Sequence, residues 1–177
     1  MQSLARLFRR FMAKQNLRSP NAKSPLYRHR RRSDAVEIAA YDKPTIEAIE
    51  HHYDRYLGHC DSVFHEFDSE YVHLDVHLIP PTQDRNYYTL ATTGMSSRPM
   101  QVPEKLAHRR YAELMIHLPA DWNLPVMGST SVDWQHERYY WVIRALKSAA
   151  RMPHEYATWL GPLHTISNGD PSEPFDE

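Results

Sequence analysis

Two histidines and one aspartate alternate in the stretch His73-Leu-Asp75-Val-His77. Alternate residues of a β-strand point to the same face, so these three side chains would line up in steps of about 7 Å. Imidazole and carboxylate groups are common ligands of zinc and iron. Three ligands at this pitch seldom converge on one ion, so the pattern also fits the polar face of a half-buried strand. Both interpretations stay open, and a metal would need a further ligand such as His117 or His164.

Hydroxyl and thiol groups do not form a recognisable nucleophilic site. Ser96 and Ser97 follow Gly94, but the stretch lacks the Gly-x-Ser-x-Gly pattern of a nucleophile elbow. Cys60 adjoins His59, and neighbours in sequence seldom form a catalytic pair. The chain also has no phosphate-binding loop and no dinucleotide glycine motif. The sequence therefore predicts no enzymatic activity and no cofactor.

A helix is predicted before the His-Asp-His stretch, from Asp42 to Leu57. Asp42 is a capping residue and Pro44 falls in the first turn. Gly58 is a natural stop. The predicted apolar face consists of Ile46, Ile49, Tyr53 and Leu57.

Strand periodicity begins at Val63. We predict a hairpin with strands 63–67 and 71–79, followed by strands 87–92 and 111–118. The last two strands enclose a loop from Gly94 to Pro103. Proline or polar loops separate the strands and nothing indicates crossover helices, so a mainly antiparallel sheet is expected.

A second helix is predicted from Asp133 to about Arg151, with Pro153 ending it. The predicted core stripe consists of Trp134, Trp141, Val142, Ala145, Ala149 and Met152. The predicted solvent side consists of Glu137, Arg144, Lys147 and Arg151. The tail from Trp159 to Pro171 is loop-like but apolar, so we expect it to pack on the domain.

Charge divides the chain into two parts. Ten basic and no acidic residues precede Asp34, which leaves 11 basic residues against all 22 acidic ones in the remainder. We predict a basic arm and linker over residues 1–33 and one globular domain over residues 34–177. No apolar run has the roughly 18 residues of a membrane span. The single cysteine, Cys60, fits a reducing compartment and hence the cytoplasm.

The basic arm begins with an amphipathic pattern over residues 3–13. Such a helix would lie on an anionic membrane surface, bind an acidic partner or dock on its own domain, unless the arm is simply solvated. The Arg28-His-Arg-Arg-Arg32 run has no aromatic platform beside it, and the acidic remainder repels polyanions. We therefore expect no nucleic-acid binding.

Several motifs in a fixed order resemble the bacterial type of the suppressor of fused domain family. The central ones are Tyr87-Tyr-Thr-Leu-x-Thr-x-Gly-Met-Ser-x-Arg-Pro-Met100, Arg110-Tyr-Ala-Glu-Leu-Met-Ile116 and Leu118-Pro-x-Asp-Trp122. Flanking motifs are His73-x-Asp75-Val76, Ile79-Pro-Pro-Thr82, Pro153-His-Glu-Tyr-x-Thr-Trp-Leu-Gly161 and His164-Thr-Ile-x-Asn-Gly-Asp-Pro171. The similarity extends from about Ile46 to Pro171.

The resemblance implies an α+β domain, with a mixed and mainly antiparallel sheet flanked by helices and no established catalysis. A eukaryotic relative holds a transcription-factor peptide by adding it to its sheet, and some bacterial relatives are implicated as toxin-neutralising immunity proteins. The candidate binding residues are those of the shared motifs: Tyr88, Gly94, Met95, Ser96, Arg98, Tyr111, Glu113 and Asp75. Within this set we expect an internal ion pair between Arg98 and Glu113.

The leading hypothesis is a non-enzymatic binding domain, in the manner of an immunity protein. Its partner would be a basic toxin or a peptide added to the sheet edge. One alternative is a metal-dependent enzyme using His73, Asp75 and His77. The other is an inactive, truncated domain, because family domains usually continue with further strands beyond the Asn168-Gly-Asp-Pro171 segment.

Overall fold

The structure, a computed structural model, describes residues 17–18, 25–34, 36–124 and 137–167. The chain separates into two compact units, Met1–Arg30 and Arg31–Glu177. In the first unit, strands β1 (Leu17–Arg18) and β2 (Pro25–Leu26) pair antiparallel. We expected only linker there, because a ladder of two residues is too short for periodicity to reveal. The amphipathic helix predicted over residues 3–13 lies outside the described residues.

The second unit is built on a four-stranded sheet. Its strands are β3 (Ser62–Phe64), β4 (Asp75–Ile79), β5 (Tyr87–Thr93) and β6 (Met115–Pro119). They lie in sequential order and every neighbouring pair is antiparallel. With the helices on its faces, this sheet confirms the α+β class.

Helix α1 (Lys43–Tyr56) confirms the first helix prediction. Proline occupies its first turn, and Gly58 follows its end with φ of 105°. The predicted cap differs in detail, because the Asp42 side chain makes no capping bond to the backbone. Its carboxylate instead accepts a hydrogen bond from Thr45 Oγ1 at 2.6 Å.

Helix α2 (Glu137–Glu155) contains Pro153 within its last turn, so the prediction that Pro153 ends the helix was wrong. A proline there removes one N–H bond, and the turn is held from outside because the buried His154 donates to the Met95 carbonyl oxygen at 3.1 Å. The predicted start near Asp133 and the predicted core residue Trp134 lie outside the described residues. Among the described residues, no helix is both long and apolar enough to span a membrane.

The two helices cover opposite faces of the sheet. On one face, Tyr53 of α1 packs with Ile79 and Ala91. On the other face, α2 and the strands form the largest apolar cluster. Its buried members are Val76, Leu78, Leu90, Leu118, Leu124, Val142, Ile143 and Leu146. The core of the domain is therefore a sheet buried on both sides.

A third cluster closes one end of the sheet. It contains Val72, Leu74, Met95, Met100 and Ala150, with the partly buried Trp159 and Leu160 packed against it. The apolar tail thus packs on the domain at its beginning, as predicted. Leu163 beyond it is fully exposed.

The predicted hairpin of strands 63–67 and 71–79 was wrong in its boundaries. The strands end at Phe64 and begin at Asp75, and ten residues connect them. Val72 and Leu74 are fully buried in the third cluster without being strand residues. The alternation of apolar and polar residues did not locate the start of β4, because β4 is buried on both faces and the apolar residues before it are also buried.

Buried Glu66 holds the connection between β3 and β4. Its carboxylate accepts hydrogen bonds from the Leu74 N–H at 3.1 Å and from Ser69 Oγ at 2.9 Å, and forms an ion pair with Arg151 of α2. Lys147 Nζ donates to the His65 carbonyl oxygen at 3.0 Å. The prediction that Lys147 and Arg151 lie on the solvent side was therefore wrong, because this connection crosses over their face of α2.

The core stripe predicted for α2 was also incomplete. Val142 is buried as expected, whereas Trp141, Ala145, Ala149 and Met152 are only partly buried. The most deeply buried positions include Ile143 and Ala150, which the prediction left out. A helix that contacts both the sheet and the crossing connection buries a wider arc than one sheet-facing stripe.

Candidate binding site

The segment between β5 and β6 begins at Gly94, whose φ is 98°. A Cβ at this position would overlap the carbonyl oxygen of His73. The chain then makes a 3₁₀ turn over Met95–Ser97, with the Met95 side chain fully buried in the third cluster. Only glycine permits both this backbone conformation and this approach of two backbones.

Glu113 fastens this turn to β5. One carboxylate oxygen accepts hydrogen bonds from the Ser96 N–H at 2.9 Å and Ser96 Oγ at 2.6 Å. The other accepts from Thr92 Oγ1 at 2.7 Å, and Thr92 Oγ1 in turn accepts from the Leu114 N–H at 2.8 Å. Burial raises the pKa of Glu113, and the bonds from Ser96 and Thr92 act in the opposite direction.

The predicted ion pair between Arg98 and Glu113 was wrong. Arg98 Nη2 donates instead to the carbonyl oxygen of Glu37. The Arg98 Nε atom is buried and has no hydrogen-bond partner among the described residues. Glu113 accepts its hydrogen bonds from the uncharged groups of Ser96 and Thr92, so it does not need Arg98 as a partner.

The 3₁₀ turn is also attached to α2 through His154. His154 is 2 % exposed and bonds to the Met95 carbonyl oxygen through Nε2. Burial lowers the pKa of His154 to about 4, and the positive charges of Arg98 and Arg32 add to this effect. The imidazole is therefore neutral at pH 7 and acts as a hydrogen-bond donor.

The two candidate tyrosines are placed differently. Tyr88 is partly buried and packs against the cluster that α2 covers. Tyr111 is 53 % exposed, and the Arg110 guanidinium lies 5.4 Å from its ring centroid. Among these shared-motif residues, Tyr111 is thus exposed, while Gly94, Met95 and Glu113 shape the segment between β5 and β6.

The three candidate metal ligands do not share one strand face, because β4 begins only at Asp75. Asp75 Oδ1 lies 3.5 Å from His73 Nε2 and 3.1 Å from Nδ1 of His65, which sequence reasoning missed. His77 is buried and contacts Thr93 Oγ1 at 3.0 Å. Within the described ranges, no group of three or more His, Cys, Asp or Glu side chains has the geometry of a metal site.

Cys60 approaches His77 rather than its neighbour His59. The distance from Cys60 Sγ to His77 Nδ1 is 3.6 Å, and His77 Nε2 lies 3.8 Å from Glu50. Burial raises the pKa of the Cys60 thiol and lowers the pKa of His77. Both shifts favour the neutral pair, so this contact does not generate a thiolate nucleophile. Only the pairing of β3 with β4 brings these residues together, and no sequence signal reveals it.

Strand β6 forms one edge of the sheet, and among the described residues it pairs with β5 alone. The Thr92 N–H donates to the Leu114 carbonyl oxygen at 2.9 Å. This bond determines which residues of β6 direct their backbone groups toward β5 and which direct them away. From that bond, the backbone groups of Met115 and His117 point away from β5. The backbone of Pro119 also points away from β5, so its missing N–H removes no hydrogen bond between β5 and β6.

The fold and this edge define a class: an α+β domain whose antiparallel sheet is covered by helices on both faces and presents an edge strand beside exposed aromatic residues. The family model of the suppressor of fused protein matches residues 70–177, well over half of the chain. The chain belongs to the suppressor of fused family, as the shared motifs indicated. This is a family of protein-interaction domains. None of the curated proteins or solved structures compared with the chain matches it.

Proposed function

We propose that this chain is a non-enzymatic protein-binding domain that holds a partner segment as an added strand along β6. The outward backbone groups of Met115 and His117 support this proposal, because they supply the hydrogen bonds that an extended peptide needs. An edge strand of five residues with a regular ladder behind it is long enough to direct such pairing.

The side chains around β6 suit a protein partner. Met115 is 45 % exposed and Tyr87 is 37 % exposed, and the Tyr87 ring lies 4.6 Å from the His117 ring. Tyr111 lies exposed in the segment that leads into β6. Tyrosine and methionine are enriched in protein–protein interfaces, so these residues would contact the partner's side chains while the backbone pairs.

Charge suggests the kind of partner. Residues 34–177 carry 11 basic and 22 acidic side chains, a balance of 11 − 22 = −11. Such a surface accelerates association with a basic protein, especially at low ionic strength. We propose a basic toxin as the partner, and neutralisation of that toxin in the cytoplasm, in the manner of an immunity protein, as the role.

The test compares two substitutions at one position. His117→Pro removes the outward N–H of β6, whereas His117→Ala removes the same side chain but keeps that N–H. Each variant and the wild type would be cross-linked in a low-salt lysate of native cells, and the captured proteins compared. We expect wild type and His117→Ala to capture the same basic protein, and His117→Pro to lose it.

The melting midpoints of both variants serve as the control, since binding is comparable only if both domains fold. Capture of the same protein by His117→Pro would rule out strand addition at β6. Failure of the wild type to capture any protein would count against a protein-binding role altogether.

A further inference from the structure

A cavity of about 500 Å³ lies between the segment that follows β5 and the end of α2. Three arginines line it: Arg32, Arg98 and Arg110. Among the described residues that line this cavity, none is acidic. Arg32 is neutralised in part, because its guanidinium pairs with Asp34. The cavity therefore has an excess of positive charge within a domain that is strongly acidic as a whole.

Arg98 brings an incompletely paired guanidinium group to the cavity wall. Its Nε atom is buried without a partner, although Nη2 of the same guanidinium reaches the Glu37 carbonyl oxygen. A buried donor on a charged group that stays unpaired is costly, and native structures seldom leave one so. Nε itself has almost no accessible surface, but Arg98 lines the cavity, so an oxyanion there would contact the same guanidinium group.

The neutral His154 reports the same positive field from the cavity wall. His154 lines the cavity, and the charges of Arg98 and Arg32 oppose its protonation in addition to burial. A histidine of ordinary pKa would become protonated in mild acid and add a positive charge to the cavity wall. Here the arginines alone supply the charge at pH 7.

Size and apolar lining indicate more than a bare ion. Pockets for small organic molecules fall in the range of about 300–1,000 Å³, and the cavity of about 500 Å³ lies within it. Met100 and Val102 contribute apolar surface beside the guanidinium groups. The lining thus combines charged donors for one end of a ligand with apolar contact for the rest.

We propose that this cavity binds a small organic molecule through its carboxylate or phosphate group. Arg98 and Arg110 supply the positive charge that holds this group, and Met100 and Val102 contact the apolar part. Carboxylate and phosphate groups both present a pair of negatively charged oxygens that can bind an arginine guanidinium in a bidentate manner. None of the lining residues belongs to β6, so the site does not depend on the proposed strand addition there.

The probes are phenyl phosphate, benzoate and inorganic phosphate, each titrated calorimetrically at an ionic strength held constant with sodium chloride. We expect phenyl phosphate or benzoate to bind, and inorganic phosphate to bind more weakly. Arg110→Gln and Arg98→Gln should each weaken binding about tenfold or more, since each removes a charge-assisted hydrogen bond. The matched control is Arg109→Gln, because Arg109 is exposed and donates to His108 outside the cavity lining.

Arg110→Gln decides the outcome if Arg98→Gln fails to fold, because Arg110 is exposed at the rim. No binding of any probe to the wild type, or equal binding by wild type and Arg110→Gln, would overturn the site. Equal affinity for inorganic phosphate and phenyl phosphate would overturn the role of Met100 and Val102.

The pKa of His154 gives an independent readout by proton NMR. A bound anion offsets the arginine charges, so saturating phenyl phosphate or benzoate should move this pKa upward from about 4. An unchanged His154 titration in the presence of bound ligand would place the ligand elsewhere.

Discussion

The backbone of Gly94 approaches the carbonyl oxygen of His73 so closely that no Cβ fits between them. This contact joins the end of β5 to the residues that lead into β4, and it places Met95 in the third apolar cluster. The glycine in the shared Gly-Met-Ser motif is therefore required by packing rather than by chemistry.

Gly94→Ala is expected to destabilise the domain by more than about 3 kcal/mol, because the methyl group meets rigid backbone as well as a left-handed φ. Gly58→Ala is the matched control. Gly58 also has a positive φ, but its added Cβ would meet side chains rather than backbone, with Arg85 Nη2 at 3.3 Å and Ile79 Cγ2 at 3.7 Å. It should cost about 1–2 kcal/mol. Urea unfolding of both variants measures the difference, and equal losses would show that the close approach to His73 does not matter.

Glu113→Ala is expected to lower the free energy of unfolding by about 3 kcal/mol, because the Ser96 N–H, Ser96 Oγ and Thr92 Oγ1 lose their acceptor. Glu104→Ala, a change at an exposed position in the same segment, should have little effect. Chemical denaturation gives both values. A loss at Glu113 no larger than at Glu104 would contradict the fastening role of this carboxylate.

Glu66→Ala should cost about 3–5 kcal/mol, since it leaves Arg151 and the Leu74 N–H without their buried partner. The control is Glu70→Ala, because Glu70 also pairs with an arginine, Arg31, but that pair is exposed. Its removal should leave the melting midpoint almost unchanged. Similar midpoints for the two variants would show that burial of the Glu66 pair contributes nothing.

The pH dependence of stability should reveal His154. Its pKa is about 4 in the folded domain against an ordinary value of 6.5, so between these values the unfolded state binds the extra proton. The free energy of unfolding should therefore fall as the pH falls from about 6.5 to about 4, by about 3 kcal/mol at most.

His154→Gln keeps a donor for the Met95 carbonyl oxygen but does not titrate, so its stability should decline less over this range. His51→Gln, at an exposed histidine, should follow the wild type. The difference between variants, taken from urea unfolding at each pH, isolates His154 from buried carboxyls such as Glu113. Parallel curves for wild type and His154→Gln would contradict the buried, neutral imidazole.

The sequence by itself determined the first helix, the presence of β5 and β6, the antiparallel arrangement and the family. These follow from local signals: Pro44 and Gly58 bound α1, and the shared motifs run along β5, β6 and the segment between them. Local signals failed where burial comes from distant elements. The end of β3, the start of β4 and the sides of α2 were misplaced because the Glu66 connection buries residues that periodicity assigns to solvent.

Only the tertiary structure decided which side chains meet. Arg98 and Glu113 are both in the shared motifs, but the glutamate turns to Ser96 and Thr92 while the arginine lines a cavity with Arg32 and Arg110. Cys60 contacts His77, although the two residues are 17 positions apart, because β3 pairs with β4. Spacing along a sequence determines periodicity and caps, whereas contacts between elements depend on register and layer order, which a single chain read in one dimension does not contain.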